Sequence, residues 1–306
     1  MTTTDLDGGA DRGPQPPRAL IVTLLGLYVR DLGGWISVSA LIRLMAAAGV
    51  DEQSVRSALT RLKRRGIVES ERRDGVAGYA LSGYAGRVLE LGDRRIFATR
   101  PDSERDWVLA VFSVPESERQ KRHTLRARLS WLGFGTVASG VWIAPGHLAE
   151  DTRETLLADG LEPYVDLFRA EYLAFGDPAT KVAQWWDLEA LEQLYDDFLE
   201  AHEPALRRWE RATPESAARG TEAAEPAHGE EASGSETSGP EAFADHLRAL
   251  TAWRRLPYLD PGLPTDLLPA DWSGTRAAET FFALHRTLAG PAHDFVTAQA
   301  AASRPG

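Results

Sequence analysis

The chain has 306 residues, 43% of them hydrophobic, which is enough for two or three domains with cores of their own. It contains no cysteine, so disulfide bonds and cysteine-ligated metal sites are excluded. The net charge of −11 argues against a nucleic-acid partner until its distribution is considered, because residues 18–100 contain 14 Lys and Arg against 8 Asp and Glu, a net charge of +6. The composition therefore indicates a basic N-terminal region followed by an acidic remainder.

The N-terminal segment, residues 1–17, lacks both the basic and the apolar parts of a secretion signal. No apolar run in the chain reaches the roughly 18 residues that a membrane span requires. We therefore expect residues 1–17 to be a disordered leader, and the protein to be cytoplasmic with no membrane partner.

Residues 18–100 have the element order of a winged helix-turn-helix domain. An apolar helix is predicted over 18–32, and a second helix ends before Gly49. The third helix, over 51–65, follows after a short turn, which is the arrangement of a helix-turn-helix. Two strand-like runs around the polar turn 72–75 then predict a hairpin, the wing.

The third helix is the predicted DNA-recognition helix because its two faces differ. Val55, Ala58, Leu59 and Leu62 form an apolar stripe, and polar and basic side chains occupy the opposite side. A basic surface helix without a partner is the alternative interpretation. The predicted DNA-binding residues are Gln53, Ser54, Arg56, Ser57, Thr60, Arg61, Lys63, Arg64 and Arg65 on this helix, with Arg72 and Arg73 on the wing.

Residues 101–178 alternate between strand and helix patterns, which predicts a small α+β domain of ferredoxin-like type. The helix over 116–132 is rich in arginine, and either a solvated face or phosphate binding would explain that charge. The predicted strands cover 107–114, 137–143 and 167–175, and the predicted helices cover 116–132 and 152–159.

Residues 179–306 form a predicted helical region. Its first helix covers 181–209, one further helix begins at Phe243, and the last runs from Thr275 to about Leu288. Residues 212–242 contain no Val, Ile, Leu, Met or aromatic residue, so we expect them to be a disordered acidic insertion.

Four segments of the chain are similar to the PaaX family of bacterial transcriptional repressors. They are RALIVTLLGLYVRDLGG at 18–34, EQSVRSALTRLKRRGIV at 52–68, RLSWLGFGTVASGVWIAP at 128–145 and WRRLPYLDPGLPTDLLPADWSG at 253–274. The resemblance implies a homodimeric repressor that binds double-stranded operator DNA and controls phenylacetate or related aromatic catabolism. It also implies a Cas2-like central domain, a helical C-terminal domain, and release from DNA by an aryl-acyl-CoA such as phenylacetyl-CoA. The acidic insertion and the segment TRPDSERDW depart from the family pattern.

An acyl-CoA carries phosphates and, here, an aromatic group, so arginines and tryptophans outside the basic region are its candidate ligands. We expect the effector to bind between the central and C-terminal domains, because pockets are common at domain interfaces. A purely structural role for all of these side chains is the alternative interpretation. The candidates are Arg126, Arg128, Trp131, Trp142, Arg169, Trp253, Arg254 and Arg255.

Two enzyme alternatives compete with a regulator. A Cas2-like nuclease would need a metal-binding carboxylate at the end of the first central strand, where this chain has Ser113. An acyl-CoA-processing enzyme is disfavoured because no G-x-S-x-G motif occurs, and the histidines show no metal-ligand spacing. The sequence therefore predicts no catalytic residue, no metal and no cofactor.

Overall fold

A computed structural model describes most of the chain, with gaps at both ends and at three internal places. The predicted leader up to residue 14 and the part of the predicted insertion over 213–234 lie outside the described residues. None of the helices in the described part combines the length and hydropathy of a membrane span. The described ranges are 15–97, 106–173, 175–212 and 235–302.

Eleven α-helices and seven strands make up the described regular structure, together with a few short 3-10 turns. The strands are β1 (Trp35–Ser37), β2 (Val68–Arg73), β3 (Val76–Leu81), β4 (Trp107–Phe112), β5 (Gly135–Ala138), β6 (Val141–Pro145) and β7 (Val165–Ala170). The helices are α1 (Pro17–Leu24), α2 (Val38–Ala47), α3 (Glu52–Arg64), α4 (Gly83–Ile96), α5 (Arg119–Trp131), α6 (Ala149–Ala158), α7 (Pro178–Trp185), α8 (Leu188–Ala212), α9 (Ser235–Trp253), α10 (Leu256–Leu259) and α11 (Ser273–Ala301).

These elements group into two compact units whose boundaries differ from the three consecutive regions expected from the sequence. The first unit contains Met1–Arg94, Phe198–Trp253 and Ala278–Gly306. The second unit contains Arg95–Asp197 and Arg254–Ala277. Both units thus include C-terminal residues, and the division at 100 and 178 remains a prediction.

The first unit begins with three helices and a small sheet. A π-helical turn, Leu25–Val29, extends α1, and the side chain of Ser37 caps α2 by accepting a hydrogen bond from the N–H of Ala40. The antiparallel sheet has the order β1-β3-β2. Strand β1 was not predicted, because a three-residue strand is too short to show an alternating pattern.

The hairpin of β2 and β3 is longer than the sequence indicated. Arg72 and Arg73 pair with Ala77 and Val76 as strand residues, so only Asp74 and Gly75 form the turn. The prediction that the two arginines form the tip of the turn was therefore wrong. They lie one step inside it, because two-residue turns favour long, regular pairing of the flanking strands.

Helices α9 and α11 complete the core of the first unit. Phe243 and Leu247 from α9, and Ala292 and Val296 from α11, are buried in the same apolar cluster as α1, α2 and α3. A buried polar chain also links these helices: the Tyr28 hydroxyl lies 2.7 Å from Nδ1 of His246, whose Nε2 lies 2.9 Å from Nδ1 of His285. Burial lowers the pKa of His246 to about 3, with a further lowering from His285, so this imidazole is neutral.

The C-terminal helices differ from their predicted ends in two places. Residues 235–242, which were expected to belong to the disordered insertion, are helical, and Ala242 is fully buried beside Ala249 and Leu288. Helix α11 continues past the predicted end to Ala301. The small and polar residues over 235–242 carry almost no periodic hydrophobic signal, and Gly290 and Pro291 interrupt the helical pattern of α11.

The second unit contains a four-stranded antiparallel sheet in the order β5-β6-β4-β7, with α5 and α6 on one face. The chain order is strand, helix, strand, strand, helix, strand. Side chains of β4 alternate between the faces: Val108 and Ala110 join the core under α5 and α6, and Trp107 packs against Val182 and the tryptophans of α7 and its C-cap.

The predicted strand over 137–143 is two strands with a reversal at Ser139 and Gly140. Gly140 has φ of 81°, and a Cβ there would lie 2.8 Å from the carbonyl oxygen of Phe112. Only glycine is accommodated at that point. The third predicted strand, over 167–175, is shifted as well, because β7 ends at Ala170 and Phe175 lies beyond it, 94% exposed.

Candidate nucleic-acid interface and ligand groove

Helix α3 is fixed at its start by a side-chain cap. The Asp51 carboxylate accepts a hydrogen bond of 2.9 Å from the N–H of Ser54. Hydrogen bonds from the side chain and then the backbone of Ser54 hold the pKa of Asp51 below its usual value. Ser54, predicted to contact DNA, is half-buried and takes part in this cap.

The apolar stripe of α3 holds the helix against the core of the first unit. Val55, Ala58, Leu59 and Leu62 are each at most 5% exposed. The stripe was predicted from the sequence, and its burial leaves the opposite face of α3 in solvent. The exposed residues on that face are Gln53, Arg56, Ser57, Thr60, Arg61, Lys63 and Arg64.

Several side chains on this exposed face bind one another. Nε and Nη2 of Arg56 donate to one carboxylate oxygen of Glu52, at 2.8 and 2.6 Å. Arg61 donates to the hydroxyl of Ser57 at 3.1 Å, and the Thr60 hydroxyl donates to the backbone carbonyl of Arg56 at 2.9 Å. The exposed face is thus a row of short-range contacts one turn apart.

Lys63 and Arg64, near the end of α3, differ from the hydrogen-bonded side chains of its exposed face. Within the described residues, Lys63 and Arg64 form no ion pair and no side-chain hydrogen bond. Arg65, the C-cap residue, is exposed as well. The charges of Lys63 and Arg64 complement the helix dipole and remain available to an anionic partner.

The two arginines near the turn of the β2–β3 hairpin are held in different ways. Arg72 donates to the carbonyl of Gly75 within its own hairpin, at 3.0 Å. Arg73 pairs with Glu71 at 2.7 Å, and its guanidinium lies 5.6 Å from the ring centre of Trp35. The β2–β3 hairpin therefore holds Arg72 over its own turn and Arg73 against Trp35 of β1.

The turn between α2 and α3 is supported by α9. Gly49 has φ of 78°, which lets the chain reverse between the two helices. Nη2 of Arg248 donates to the carbonyl of Ala48 at 3.0 Å. In the middle of α2, Arg43 binds Gln299 of α11 through two hydrogen bonds of 2.9 Å. The angle between the helices is thus fixed by residues far away in sequence.

The second unit contains a groove of about 340 Å³ between α5 and the β5–β6 hairpin. The groove side of α5 presents residues spaced by three and four positions, which share one face of a helix. Trp142, 8% exposed, lines it from β6, next to Thr136 in the pairing of the strands. The lining residues are His123, Arg126, Ala127, Ser130, Thr136, Ala138, Ser139 and Trp142.

Arg126 distinguishes this groove from other parts of α5. Among the described residues Arg126 has no ion-pair partner, whereas Arg128 pairs with Asp159 and Arg122 pairs with Glu116. An unpaired guanidinium beside hydroxyl groups and an indole ring can bind an anion attached to a flat or apolar group.

The structure brings two of the eight predicted effector residues, Arg126 and Trp142, to this groove. The others lie elsewhere, and most are occupied. Trp131 stacks on Tyr258, Arg169 pairs with Asp106, and Trp253 of the first unit stacks on Phe281 at 4.7 Å. Arg128 is held by Asp159, Arg254 is buried, and Arg255 is half-buried before α10.

The end of β4, where a Cas2-like nuclease would need a metal-binding carboxylate, has a serine. Ser113 follows β4, and its N–H donates to the carbonyl of Tyr164 at 3.1 Å. The described residues contain no group of three His, Asp or Glu side chains placed to hold a metal ion.

Sequence reasoning missed Glu52 and most of the groove. The spacing of Glu52 and Arg56, four residues apart on a helix, could have revealed their pair. Ser130, Thr136 and Ser139 could not be found, because the reversal at Gly140 was read as continuous strand.

Three family models match the chain in order. They are described as a PaaX-like protein over residues 16–85, the PaaX protein central Cas2-like domain over 100–182, and the PaaX-like protein C-terminal domain over 221–298. A curated relative, the transcriptional repressor PaaX of Escherichia coli K12, is 27% identical over 291 residues, which cover 93% of this chain and 84% of the relative. A solved structure of an uncharacterized protein from Mycobacterium tuberculosis matches with a TM-score of 0.53 and 24% identity, covering 94% of this chain and 97% of the other. This last likeness concerns the fold alone. The chain belongs to the PaaX family.

Proposed function

We propose that the protein is a transcriptional repressor that binds operator DNA through α3. The observation that carries this proposal is the contrast between the two faces of α3, one locked into the core and the other exposed with Gln, Ser, Thr, Arg and Lys side chains. These are side chains that contact base edges and phosphates in the major groove. The name of the Escherichia coli relative, a transcriptional repressor, supports the same function.

In this proposal α2 and α3 form a helix-turn-helix, and the β2–β3 hairpin is the wing. The helices, the turn at Gly49 and the three-stranded sheet have the order that a winged helix requires. The second unit is proposed to be ferredoxin-like, supported by its strand and helix order and by the match to a Cas2-like family model.

The base-contacting group consists of Gln53, Arg56, Ser57 and Thr60, and the phosphate-contacting group consists of Lys63, Arg64, Arg65 and the wing arginines Arg72 and Arg73. Arg61 lies between the two groups and binds Ser57, and Ser54 supports the cap. The division follows from position, because the first group covers the start and middle of α3 and the second lies near its end and on the hairpin.

We propose further that an acyl-CoA, phenylacetyl-CoA first among them, releases the repressor from genes of phenylacetate or related aromatic catabolism. The groove beside α5 is the proposed contact for part of this effector, with Arg126 binding a phosphate or thioester oxygen and Trp142 packing on an apolar portion. The protein acts as a cytoplasmic homodimer in this proposal, because operators with repeated half-sites match a symmetric pair of recognition helices. It has no catalytic role and no cofactor.

Selection of genomic fragments by the purified protein tests DNA binding directly. We expect enrichment of a site with two related half-sites, about one or two helical turns apart. The Gln53→Ala protein should select a site with a weaker preference at particular positions, at a cost of roughly 1 to 3 kcal/mol. Fragments no richer in any sequence than the input would contradict the proposed function.

Titration of the operator complex tests the effector. Phenylacetyl-CoA should release the DNA, and free phenylacetate should not, because the CoA phosphates supply much of the binding energy. Release shifts the equilibrium by about 1.4 kcal/mol for each tenfold loss of affinity. A complex that no CoA thioester dissociates would contradict the proposed effector class.

A further inference from the structure

The ion pair between Glu52 and Arg56 uses one edge of the guanidinium. Nε and Nη2 of Arg56 both donate to the same oxygen of Glu52. The two side chains are 60% and 55% exposed, so the pair is in contact with solvent. An exposed pair four residues apart on a helix contributes little to stability, and α3 already has a cap and a buried stripe.

The free edge of Arg56 is the one that matters for DNA. A guanidinium has five N–H donors in one plane, and this pair uses two of them. The remaining donors are both N–H groups of Nη1 and the outer N–H of Nη2, which point away from Glu52. Two adjacent nitrogens of that kind are the group that binds O6 and N7 of guanine in the major groove.

The carboxylate also opposes a competing use of Arg56. An arginine without a partner on a DNA-facing helix binds the nearest phosphate, because phosphates supply most of the nonspecific attraction. Glu52 lies on the same exposed face, and its negative charge disfavours the approach of a phosphate to Arg56. Lys63 and Arg64, which no carboxylate holds among the described residues, remain suited to phosphates.

We propose that Glu52 is a positioning residue that holds the Arg56 guanidinium end-on toward a guanine of the operator and so contributes to base specificity. This inference rests on the proposed function, because it requires that α3 contacts DNA. Glu52 itself need not touch the DNA. It acts by limiting the orientations that Arg56 can adopt and by reserving that cation for a base.

Selection from a random duplex pool can test this role. The proteins to compare are the wild type, Arg56→Ala, Glu52→Ala, Glu52→Gln, and the control Glu69→Ala. Glu69 is an exposed carboxylate on β2 that forms no ion pair within the described residues, so its removal changes the charge of the same unit without freeing an arginine. Thermal unfolding followed by circular dichroism confirms that each variant is folded.

We expect Arg56→Ala to abolish a guanine preference at one position of the half-site. Glu52→Ala should weaken the preference at that same position by about five-fold or more, the lower end of what a bidentate contact contributes. Glu52→Gln retains an acceptor oxygen at the same place but loses the negative charge, so it should restore the part of the preference that comes from orienting the guanidinium. Glu69→Ala should leave every base preference unchanged, although its affinity for nonspecific DNA rises as much as that of Glu52→Ala.

Three results would overturn the inference. Glu52→Ala could select the same site as the wild type, or it could change a different position from Arg56→Ala, which would make Glu52 a direct reader of a base. Glu69→Ala could also weaken the guanine preference as much as Glu52→Ala, which would reduce the effect to charge alone. Failure of the proposed function is distinguishable from all three, because the wild type itself would then select no sequence.

Discussion

Helices α3 and α5 have the same length, 13 residues, and both are rich in cations, but their cations are used differently. In α5, Arg122 and Arg128 pair with acidic residues of neighbouring segments of the second unit. In α3, the carboxylate partner of Arg56 belongs to the same helix, and the cations at its end are exposed. Charge count alone does not separate the two helices. The location of the partner carboxylates does.

Helices α3 and α5 also differ in how firmly they are attached to their own cores. A side-chain cap and four buried apolar residues hold α3, whereas α5 has no side-chain cap and buries only Leu125 and Leu129. A helix that must present side chains to DNA needs a fixed orientation, because a displacement of about 1 Å misplaces every hydrogen bond to a base edge.

The largest expected effect concerns this anchoring. Leu59→Ala should lower the free energy of unfolding by about 2 to 5 kcal/mol, because it opens a cavity beneath α3. Leu125→Ala is the matched change beneath α5, with a similar expected cost. Urea unfolding measures the cost, and fluorescence anisotropy measures operator affinity below the transition. Leu59→Ala should weaken DNA binding, and Leu125→Ala should not; equal loss of affinity in both would break the comparison.

Protonation should destabilise the first unit before the second. Burial lowers the pKa of His246 to about 3 and that of His202 to about 4, while the unfolded value is about 6.5. Below about pH 6.5 the two histidines are therefore protonated in the unfolded chain but remain neutral in the folded unit. Each of them lowers the free energy of unfolding by up to about 1.4 kcal/mol per pH unit as the pH falls.

Stability of this origin is fully present above about pH 6.5 and is lost as the pH falls toward the folded pKa values. Urea unfolding at several pH values measures the slope, and His246→Asn should reduce it. His123→Asn, which changes an exposed histidine of the second unit, is the control and should leave the slope unaltered. A slope that is insensitive to His246 would refute this explanation.

Substitution of two arginines of α5 should have opposite consequences, one for stability and the other for effector binding. Arg128→Ala leaves the partly buried carboxylate of Asp159 without its cation and should cost roughly 1 to 3 kcal/mol of stability. Arg126→Ala, at the groove, should change stability by no more than about 0.5 kcal/mol but weaken acyl-CoA binding. Isothermal titration and urea unfolding of both variants measure the contrast. If Arg126→Ala binds the effector normally, the groove is not the effector site.

The smallest expected effect is on the salt dependence of DNA binding, which should change on removal of cations from α3 but not from α5. Removal of Lys63 or Arg64 should weaken binding to every DNA sequence alike, and the slope of log K against log salt should become less steep by about one for each. Removal of Arg119, an exposed cation of α5, or of the half-buried Lys121 on the same helix should leave the slope unchanged. Anisotropy titrations at several salt concentrations give both slopes. A change in base preference for Lys63→Ala would place Lys63 in the base-contacting group instead of the phosphate-contacting group.

The sequence was most informative where large apolar residues follow a regular period. Helix α3 was predicted with its buried stripe, because large apolar residues at helical spacing are a strong local signal. Strand β4 was found for a similar reason, since a continuous apolar run ends at a proline. Long-range partners were not predictable. Nothing near Ala48 in the sequence reveals that Arg248 binds its carbonyl.

In the candidate site, too, local patterns were predictable from the sequence and long-range contacts were not. The exposed residues of α3 follow from the helical period, but the pairing of Arg73 with Glu71 and its contact with Trp35 depend on a strand too short to predict. In the second unit, the groove exists because the chain reverses at Gly140. Apolar residues stand on both sides of that reversal, so the sequence pattern alone could not locate it.

The burial of Phe243 and Val296 against the N-terminal helices has a consequence for biosynthesis. The two segments of the second unit lie between the three segments of the first in sequence, so a ribosome releases them while the N-terminal helices still lack part of their core. Domains generally fold as units in the order of their completion. The unit that begins the chain is therefore the later of the two to reach its final packing, and a nascent chain that stops before Val296 leaves an apolar surface of α1 and α2 uncovered.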